Sequence, residues 1–222
     1  MQCLGIDASD RACLSPTERK KVSRNNPGFK QTKNHPVVCV SWQQAVDYTN
    51  WLSASTGKPY RLLTAAEWNR AVKVSGEDKP NDDYFNPSKN CPQNISDVSF
   101  REMQLKKYDQ SDKRQYFSKK PSEEQISSVR QVIYETSNLC VDQFTYTSPV
   151  KHFKRNSIGI FDMTGNVSEW VQDCISPDDL ECTGRKLKGM HYASRYGDIL
   201  STFGSSTFNS YTHIGIRVGL DE

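Results

Sequence analysis

The chain has 222 residues, of which 35% are hydrophobic, 25% charged and 10% aromatic, and its formal net charge is +3 at pH 7. This length suits one domain, or one large domain with an insertion, and the aromatic content argues against a wholly disordered chain. No apolar run reaches the length of a membrane-spanning helix, and the mild charge, without a basic stripe that includes aromatic residues, predicts no nucleic-acid partner.

The first third of the chain predicts a short strand and two helices. Residues 36–41 form an apolar run that is typical of a buried strand. Ser41 is a suitable N-cap for a helix over 42–53, whose apolar residues recur at helical spacing, and Gly57 follows as a stop signal. A capping-box pattern that begins at Thr64 starts the second helix.

The middle of the chain differs sharply in composition from the rest. From residue 76 to about 138 it is rich in Lys, Asp, Ser, Gln and Asn, which indicates a solvated and partly ordered insertion. We place this charged insertion at about 97–138, and within it only 121–135 predicts a helix. From residue 140 onward short aromatic and β-branched runs return, and 214–220 predicts a strand with apolar residues at every second position.

Seven cysteines are many for a chain of this length, and they favour disulfide bonds formed in an oxidising compartment. We therefore expect a secreted, periplasmic or cell-surface protein whose leader is not visible in this sequence. Cys3 and Cys13, and Cys174 and Cys182, lie close in sequence and are the disulfide candidates, with the connectivity left open. Because the count is odd, Cys39, in its apolar run, is the candidate for an unpaired thiol.

Three segments carry a family resemblance. They are 36–42 (PVVCVSW), 60–68 (YRLLTAAEW) and 156–170 (NSIGIFDMTGNVSEW), and IGIRV at 214–218 closes the series. In this order they resemble the sulfatase-modifying-factor family, whose namesake is the formylglycine-generating enzyme. The resemblance implies an α+β fold, a variant of the C-type lectin fold with little regular secondary structure and two helices packed on short twisted antiparallel sheets. Residues 1–222 would form a single domain of this kind, with the charged insertion outside the resemblance.

The resemblance also implies what a catalytic site should contain. The family's enzyme oxidises a substrate cysteine with copper held by two cysteines, and soft thiolates suit Cu(I). The matching positions here are Ser194 and Ile199, neither of which is a thiolate. We therefore expect no copper site of that kind and assign no catalytic residue. An oxidoreductase acting on a protein or peptide substrate with a different metal, built around His191, is the alternative.

Two structural calcium sites are a further implication of the resemblance. Carboxylate, amide and main-chain oxygens are the hard ligands that calcium prefers. The matching residues are Asn94, Ile95, Asp142 and Phe144 for the first site and Asp162, Gly165, Val167 and Glu169 for the second. The charged insertion would be looped out between the two halves of the first site. Without the resemblance, Asp162 and Glu169 would be interpreted as ordinary surface carboxylates.

The segment 190–213 interleaves aromatic residues with Ser, Thr, Gly, Asn and His, a composition that resembles a paratope. In related lectin-like folds this segment lies on the ligand-facing surface, and it is where the variable proteins of diversity-generating retroelements are randomised. The candidate ligand-binding residues are His191, Tyr192, Ser194, Arg195, Tyr196, Asp198, Phe203, Phe208, Asn209, Tyr211 and His213. We predict a non-catalytic module that binds a protein or glycan ligand; a plain polar loop, or a structural subunit that docks through its insertion, are the alternatives.

Overall fold

The computed structural model describes residues 13–15, 22–79, 81–113, 117, 119–135, 137–195, 197 and 200–221. Within them the chain forms helices α1 (Trp42–Thr56), α2 (Ala65–Ser75), α3 (Val98–Gln110) and α4 (Glu123–Glu135), and a 3-10 turn (Asp82–Phe85). The strands are β1 (Tyr60–Leu62), β2 (Ser168–Cys174), β3 (Gly184–Lys188), β4 (Phe203–Ser206), β5 (Ile214–Ile216) and β6 (Val218–Leu220). The predicted α+β class is confirmed. No helix in these ranges is long and apolar enough to cross a membrane.

The strands form two small sheets. β1 pairs with β6 in an antiparallel ribbon, and the larger sheet has the order β4-β3-β2-β5. In that sheet β3 is antiparallel to both of its neighbours, whereas β2 and β5 are parallel. We expected purely antiparallel sheets, and this expectation is wrong for the larger sheet, which is mixed. A parallel pair needs a long connection, and here the chain between β2 and β5 supplies it by forming β3 and β4 on the way.

Local sequence signals explain where α1 and α2 begin. The side chain of Ser41 accepts from the backbone N–H of Gln44, whose own side chain returns to the Ser41 N–H, and Thr64 and Glu67 form the same capping box on α2. Gly57 ends α1 in the left-handed conformation, with φ of 70°. Both predicted helices are confirmed. The apolar run over 36–41 is buried in part but does not form a regular strand.

The core sits between these helices and the larger sheet. One cluster centres on Trp68 of α2 and includes Ile95, Met163 and Val171. A second centres on Trp170 of β2, whose indole Nε1 donates to the Val40 carbonyl at 2.8 Å, and lies under α1. Two buried tryptophans thus anchor the helices to the sheet, and the loops that carry the candidate sites pack around them.

Three disulfide bonds close the described part of the chain: Cys13–Cys39, Cys91–Cys140 and Cys174–Cys182. The expected participation of Cys174 and Cys182 is confirmed. The expectation of an unpaired Cys39 is wrong, because the fold brings it to Cys13. Cys3 lies outside the described residues.

The charged insertion is more ordered than its composition suggests. α4 begins behind a capping box of Ser122 and Gln125, as the sequence predicts. α3 is an addition to the predicted elements; it begins at the N-cap Asp97 and buries Phe100, Arg101 and Tyr108. Insertion residues therefore pack on the scaffold through α3, whereas α4 has no buried residue among those described.

Candidate functional site

The first group of predicted calcium ligands lies where the insertion leaves and re-enters the scaffold. The Asp142 carboxylate accepts from the backbone N–H of Ile95 at 3.0 Å and from that of Phe144 at 2.7 Å. Asn94 donates its Nδ2 to the Tyr146 carbonyl at 2.8 Å, but its buried Oδ1 has no hydrogen-bond partner in the described structure. The fold thus brings the two halves of this group together and leaves one amide oxygen unsatisfied.

A second buried carboxylate, which sequence reasoning missed, adjoins this group. Asp97 accepts from the backbone N–H of Phe100 at 2.9 Å and from that of Asp142 at 2.8 Å. Burial, followed by repulsion from Asp97, raises the pKa of Asp142 to about 8. Both carboxylates thus accept backbone N–H groups through each of their oxygens, and the unsatisfied Asn94 Oδ1 is the oxygen of this group that remains for a hard divalent cation.

In the second group of predicted calcium ligands, one carboxylate is paired with an arginine and the other has a free oxygen in the described structure. Both oxygens of Glu169 accept from Arg217, at 2.7 to 3.0 Å, and Oε2 also accepts from the indole of Trp68 at 2.9 Å. Glu169 therefore already has protein partners for its charge. Asp162 accepts from the backbone N–H of Lys151 through Oδ2, whereas its buried Oδ1 has no partner in the described ranges. That oxygen is what remains at this position for a cation.

The two groups share one piece of scaffold around Gly165. A Cβ atom at Gly165 would lie 2.6 Å from the Asn94 carbonyl oxygen, and the next residue, Asn166, donates its backbone N–H to that same oxygen at 2.7 Å. Only glycine permits so close an approach of two backbones. The Val167 N–H in turn donates to the Gly165 carbonyl at 2.9 Å, so this carbonyl also has a protein partner.

The predicted ligand-binding segment divides into a buried and an exposed part. Tyr192 is fully buried, and its hydroxyl hydrogen-bonds that of Thr212 at 3.1 Å. Its ring packs edge-on against Phe29 and Tyr146. The expectation of Tyr192 as a ligand contact is therefore wrong: this tyrosine fills the space between the segment and the rest of the core.

The exposed part lies on β4, the edge strand of the larger sheet, and in the chain on either side of it. Phe203 is 59% exposed and Phe208 is 55% exposed, and Arg195 is exposed as well. Asn209 and Tyr211 are only partly buried, and both hydrogen-bond the Ser205 hydroxyl. Tyr196, Asp198 and Ile199 lie outside the described residues.

A buried lysine fixes the loop that leads into β4. Lys188 is fully buried on β3, and its ammonium group donates to the Leu200 and Ser201 carbonyls and to the Thr202 hydroxyl. It also lies 5.4 Å from the centre of the Trp68 ring. The exposed phenylalanine that follows this loop is thereby held on a fixed base.

His191 and His213 form a pair, with ring centroids 4.3 Å apart. Burial lowers the pKa of His191 well below its ordinary value, and repulsion from the neighbouring His213 lowers it further. Burial also lowers the pKa of His213, to about 4. Both are therefore neutral imidazoles at pH 7. His191 Nδ1 accepts from the Ala193 N–H at 3.2 Å. An iron site would need a carboxylate beside two histidines, and the described residues contain no such group of three metal-ligating side chains.

Ser194, matched above to one copper-binding cysteine, closes a turn with His191. Its hydroxyl accepts from the His191 backbone N–H at 3.1 Å, and its own N–H donates to the His191 carbonyl at 2.8 Å. Its carbonyl accepts from the Ser96 N–H at 2.8 Å. Ser194 thus ties the ligand-binding segment to the base of the insertion.

A family model described as "Sulfatase-modifying factor enzyme 1-like domain" matches residues 5–221. The chain belongs to this family. Two curated relatives in the sulfatase-modifying factor family are formylglycine-generating enzymes. That of Mus musculus is 29% identical over 140 residues, which cover 63% of this chain and 27% of the relative. That of Thermomonospora curvata is 29% identical over 145 residues, which cover 65% and 35%. The chain thus spans only a minor part of the length of these relatives.

Solved structures confirm the fold of the sulfatase-modifying factor family for this chain. PvdO from Pseudomonas aeruginosa superposes with a TM-score of 0.59 at 22% identity, over 87% of this chain and 65% of that chain. CarF superposes with a TM-score of 0.51 at 24% identity, over 88% and 71%. At such identities the likeness establishes the fold alone.

Two residues that shape the site escaped sequence reasoning. Asp97 carries an N-cap signal for α3, which could have located both the helix and the extra carboxylate. Arg217 gives no comparable signal, because its partner Glu169 lies 48 residues away in the sequence.

Proposed function

We propose that this chain is a non-catalytic binding module of the sulfatase-modifying factor family, and that its ligand contacts the exposed part of segment 190–213. The observation that carries the proposal is the pair of exposed rings, Phe203 and Phe208, on and beside a strand fixed to the core. Rigid aromatic side chains supply contact area at little conformational cost, as they do in paratopes and at binding hot spots.

The absence of copper chemistry is part of this proposal. Ser194 offers a hydroxyl where the family's enzyme has a thiolate, and this hydroxyl accepts a backbone hydrogen bond. A hard oxygen in that place is a poor ligand for Cu(I). Mixing the full chain with a cysteine-containing peptide and Cu(I) or Fe(II) in air, with dioxygen as the oxidant, and following the peptide by mass spectrometry, should show no more oxidation than the same mixture without the chain. Oxidation that disappears in His191→Ala would support the alternative oxidoreductase instead.

The ligand we propose is a protein or a glycan, and the full chain can be tested against a phage-displayed peptide library and a glycan array. Binders recovered from either should lose affinity by about 500-fold or more when Phe203→Ser and Phe208→Ser are combined, because hot-spot aromatic residues contribute about 2 kcal/mol or more each and about 1.4 kcal/mol is tenfold in affinity. Leu180→Ser is the control, since Leu180 is 98% exposed but lies outside the segment. Equal losses in both variants would contradict the assignment of the surface.

Diversification of this surface by a retroelement is the finer form of the proposal. It predicts that copies of the gene at sibling loci, or in related strains, differ mainly within 190–213, at exposed positions such as Phe203 and Phe208. Differences should spare Tyr192, which is buried. Sequencing such copies provides the test, and differences spread evenly along the chain would contradict this form of the proposal.

We also propose two structural calcium ions, one held by Asn94, Asp142 and neighbouring carbonyls and one at Asp162. The unsatisfied oxygens of Asn94 and Asp162 support these sites, and a bound cation would tie together loops that have little regular secondary structure. Elemental analysis of the purified chain by mass spectrometry should find two calcium ions per chain. A result of one ion per chain would rule out the Asp162 site, where Glu169 already has protein partners. A result of no calcium would overturn both sites.

A secreted, periplasmic or cell-surface location is proposed from the disulfide bonds. Three disulfides in a chain of this length are typical of an oxidising compartment. Fractionation of the source cells should recover the protein outside the cytosol with these three bonds formed. Recovery of reduced protein from the cytosol would contradict the location.

A further inference from the structure

Two loops that lie far apart in the sequence form one exposed surface. They are residues 29–36 and 146–156, which we call the double-loop surface. The backbone N–H of Val150 donates to the Asn34 carbonyl at 2.8 Å, which joins one loop to the other. This surface lies outside the segment 190–213 that the proposed function uses.

Side chains hold the two loops in a fixed relation. The ring of Phe29 stacks on that of Tyr146, with 4.4 Å between centroids and 5° between planes. Gln31 donates its Nε2 to the Thr147 hydroxyl at 3.0 Å, across 116 residues of sequence. Charges carried by the loops are therefore presented together in the folded protein.

The double-loop surface is strongly basic. Neither loop contains an Asp or Glu residue. The exposed cations are Lys30, Lys33, Lys151, Lys154 and Arg155. Their charge exceeds the net charge of +3 for the whole chain, so the rest of the molecule is slightly acidic and the positive charge is concentrated here.

These five cations lack carboxylate partners in the described structure. The ion pairs that it contains use Arg61, Arg101, Arg130 and Arg217. The carboxylate that touches the surface from below, Asp162, is buried and accepts from the backbone of Lys151 rather than from its side chain. At the far end Glu77 is engaged by the Asn156 amide and the Ser75 hydroxyl.

We propose that the double-loop surface binds an acidic linear polysaccharide, whose sulfate or carboxylate groups are contacted by the five cations. Clustered unpaired lysine and arginine side chains attract a polyanion, because each ionic contact releases counterions condensed on the polymer. Cations spread over two loops match several charges along one chain better than they match a single small anion. The polysaccharide would supply the negative charge that the protein itself omits at this surface.

A polysaccharide fits this surface better than a nucleic acid or a membrane does. Single-stranded nucleic acids bind to exposed aromatic side chains on which the bases stack. Phe29 does not offer such a platform, because it is half-buried and its ring already stacks on that of Tyr146. Peripheral membrane binding uses an amphipathic helix with a broad apolar face, and neither loop is helical. The disulfide bonds are also typical of compartments in which acidic polysaccharides are found outside the cell.

The test uses the full chain and four immobilised probes: heparin, alginate, a 20-base-pair DNA duplex and vesicles that contain phosphatidylserine. We expect heparin or alginate to bind with an affinity that falls as NaCl is raised. The triple variant Lys151→Gln, Lys154→Gln, Arg155→Gln should weaken that binding about tenfold or more. It should also lower the slope of log affinity against log salt by about one unit for each cation removed, by analogy with phosphate polyanions. Because these side chains are exposed, the melting temperature should not change.

The matched control removes the same charge elsewhere, through Lys58→Gln, Lys119→Gln and Lys120→Gln, all exposed lysines. Equal weakening in both triple variants would show only a net-charge effect and overturn the proposal. Tighter binding of the DNA duplex, or of vesicles that contain phosphatidylserine, than of either polysaccharide would overturn the class of ligand. Binding of peptides or glycans through Phe203 and Phe208 is a separate readout, so the two proposals can fail independently.

Discussion

Arg217 allows Glu169 to lie buried near the centre of the molecule. Its guanidinium donates to both carboxylate oxygens and to the Phe161 carbonyl, and the indole of Trp68 adds a further hydrogen bond. A buried carboxylate that loses its partner keeps the cost of desolvation without the compensating attraction. Removing one member of the pair therefore measures how much the ion pair between β2 and the segment that joins β5 to β6 contributes to the free energy of unfolding.

Replacing Arg217 with Met should lower the free energy of unfolding by about 3 to 5 kcal/mol, because it leaves Glu169 unpaired in the interior. Urea unfolding monitored by tryptophan fluorescence, in the presence of a chelator, measures the loss. Arg61→Met is the matched control, since Arg61 pairs with Glu67 and Asp221 at the surface and such pairs contribute about 1 kcal/mol or less. Losses of equal size would mean that the Glu169 pair is not buried in solution.

His213 makes the stability of the protein depend on pH. Burial lowers its pKa to about 4, while in the unfolded chain it returns to about 6.5. Between these values the unfolded state binds more protons than the folded state, so the contribution of His213 to stability falls as the pH is lowered from 6.5 to 4. Asp142, with its raised pKa, titrates with the opposite sign in an overlapping range, so the effect of His213 must be isolated by substitution.

His213→Gln should therefore be relatively more stable at acidic pH than at neutral pH. The unfolding free energies of the variant and the wild type are measured from pH 7 to pH 4.5. The value for the variant minus that for the wild type should grow toward low pH, by up to about 1.4 kcal/mol per pH unit. Asn25→Gln, at an exposed residue without a titratable group, is the control and should give a flat difference. A flat difference for His213→Gln as well would show that this ring is solvated rather than buried.

At the scale of elements, helices with local signals can be predicted and elements that depend on distant residues cannot. α1 and α2 carry capping boxes within four residues, and both begin where the sequence indicates. α3 lacks a clear apolar stripe and is stabilised by burying Phe100, Arg101 and Tyr108, so only its N-cap could have revealed it. The parallel pairing of β2 with β5 depends on residues more than forty positions apart.

The stabilisation that each disulfide gives to these elements increases with the logarithm of the length of chain that it encloses. Cys91–Cys140 closes the base of the charged insertion across a separation of 49 residues, whereas Cys174–Cys182 closes a turn across 8. On a chain-entropy basis, replacing the first pair with alanine should cost about 4 kcal/mol of unfolding free energy and replacing the second about 2.5 kcal/mol. Denaturant unfolding of the two double variants measures the order, and a larger loss for the shorter loop would contradict an entropic origin.

For the whole molecule, sequence patterns identified which segments carry the candidate sites but not how the fold assembles them. The resemblance placed Asn94 and Asp142 in one group across the insertion, and the fold does bring them together. The composition of 190–213 could not tell the buried Tyr192 from the exposed Phe203, because burial is decided by rings from other segments. The double-loop surface was invisible for the same reason, since neither loop is strongly basic until the fold joins them.

Calcium couples the insertion to the rest of the molecule if the first proposed site is correct. An ion that binds only the folded state stabilises it by about 2.7 kcal/mol when its concentration is about 100 times its dissociation constant. The unfolding free energy of the wild type should therefore rise when calcium replaces a chelator. Asn94→Ala, which removes the unsatisfied Oδ1, should abolish most of that rise, whereas Asn94→Asp, which keeps an oxygen there, should retain it.

Asn138→Ala separates a lost ligand from a damaged fold. Asn138 is equally buried at the base of the insertion and donates to the Ser96 carbonyl at 2.8 Å, but it is not a proposed ligand. We expect this variant to be less stable than the wild type both with and without calcium, with the calcium-dependent difference preserved. If Asn94→Ala kept that difference, the ion would be held at Asp162 instead. If the wild type showed no difference, the buried Asp142 would have to be accommodated by protonation alone, which agrees with its raised pKa.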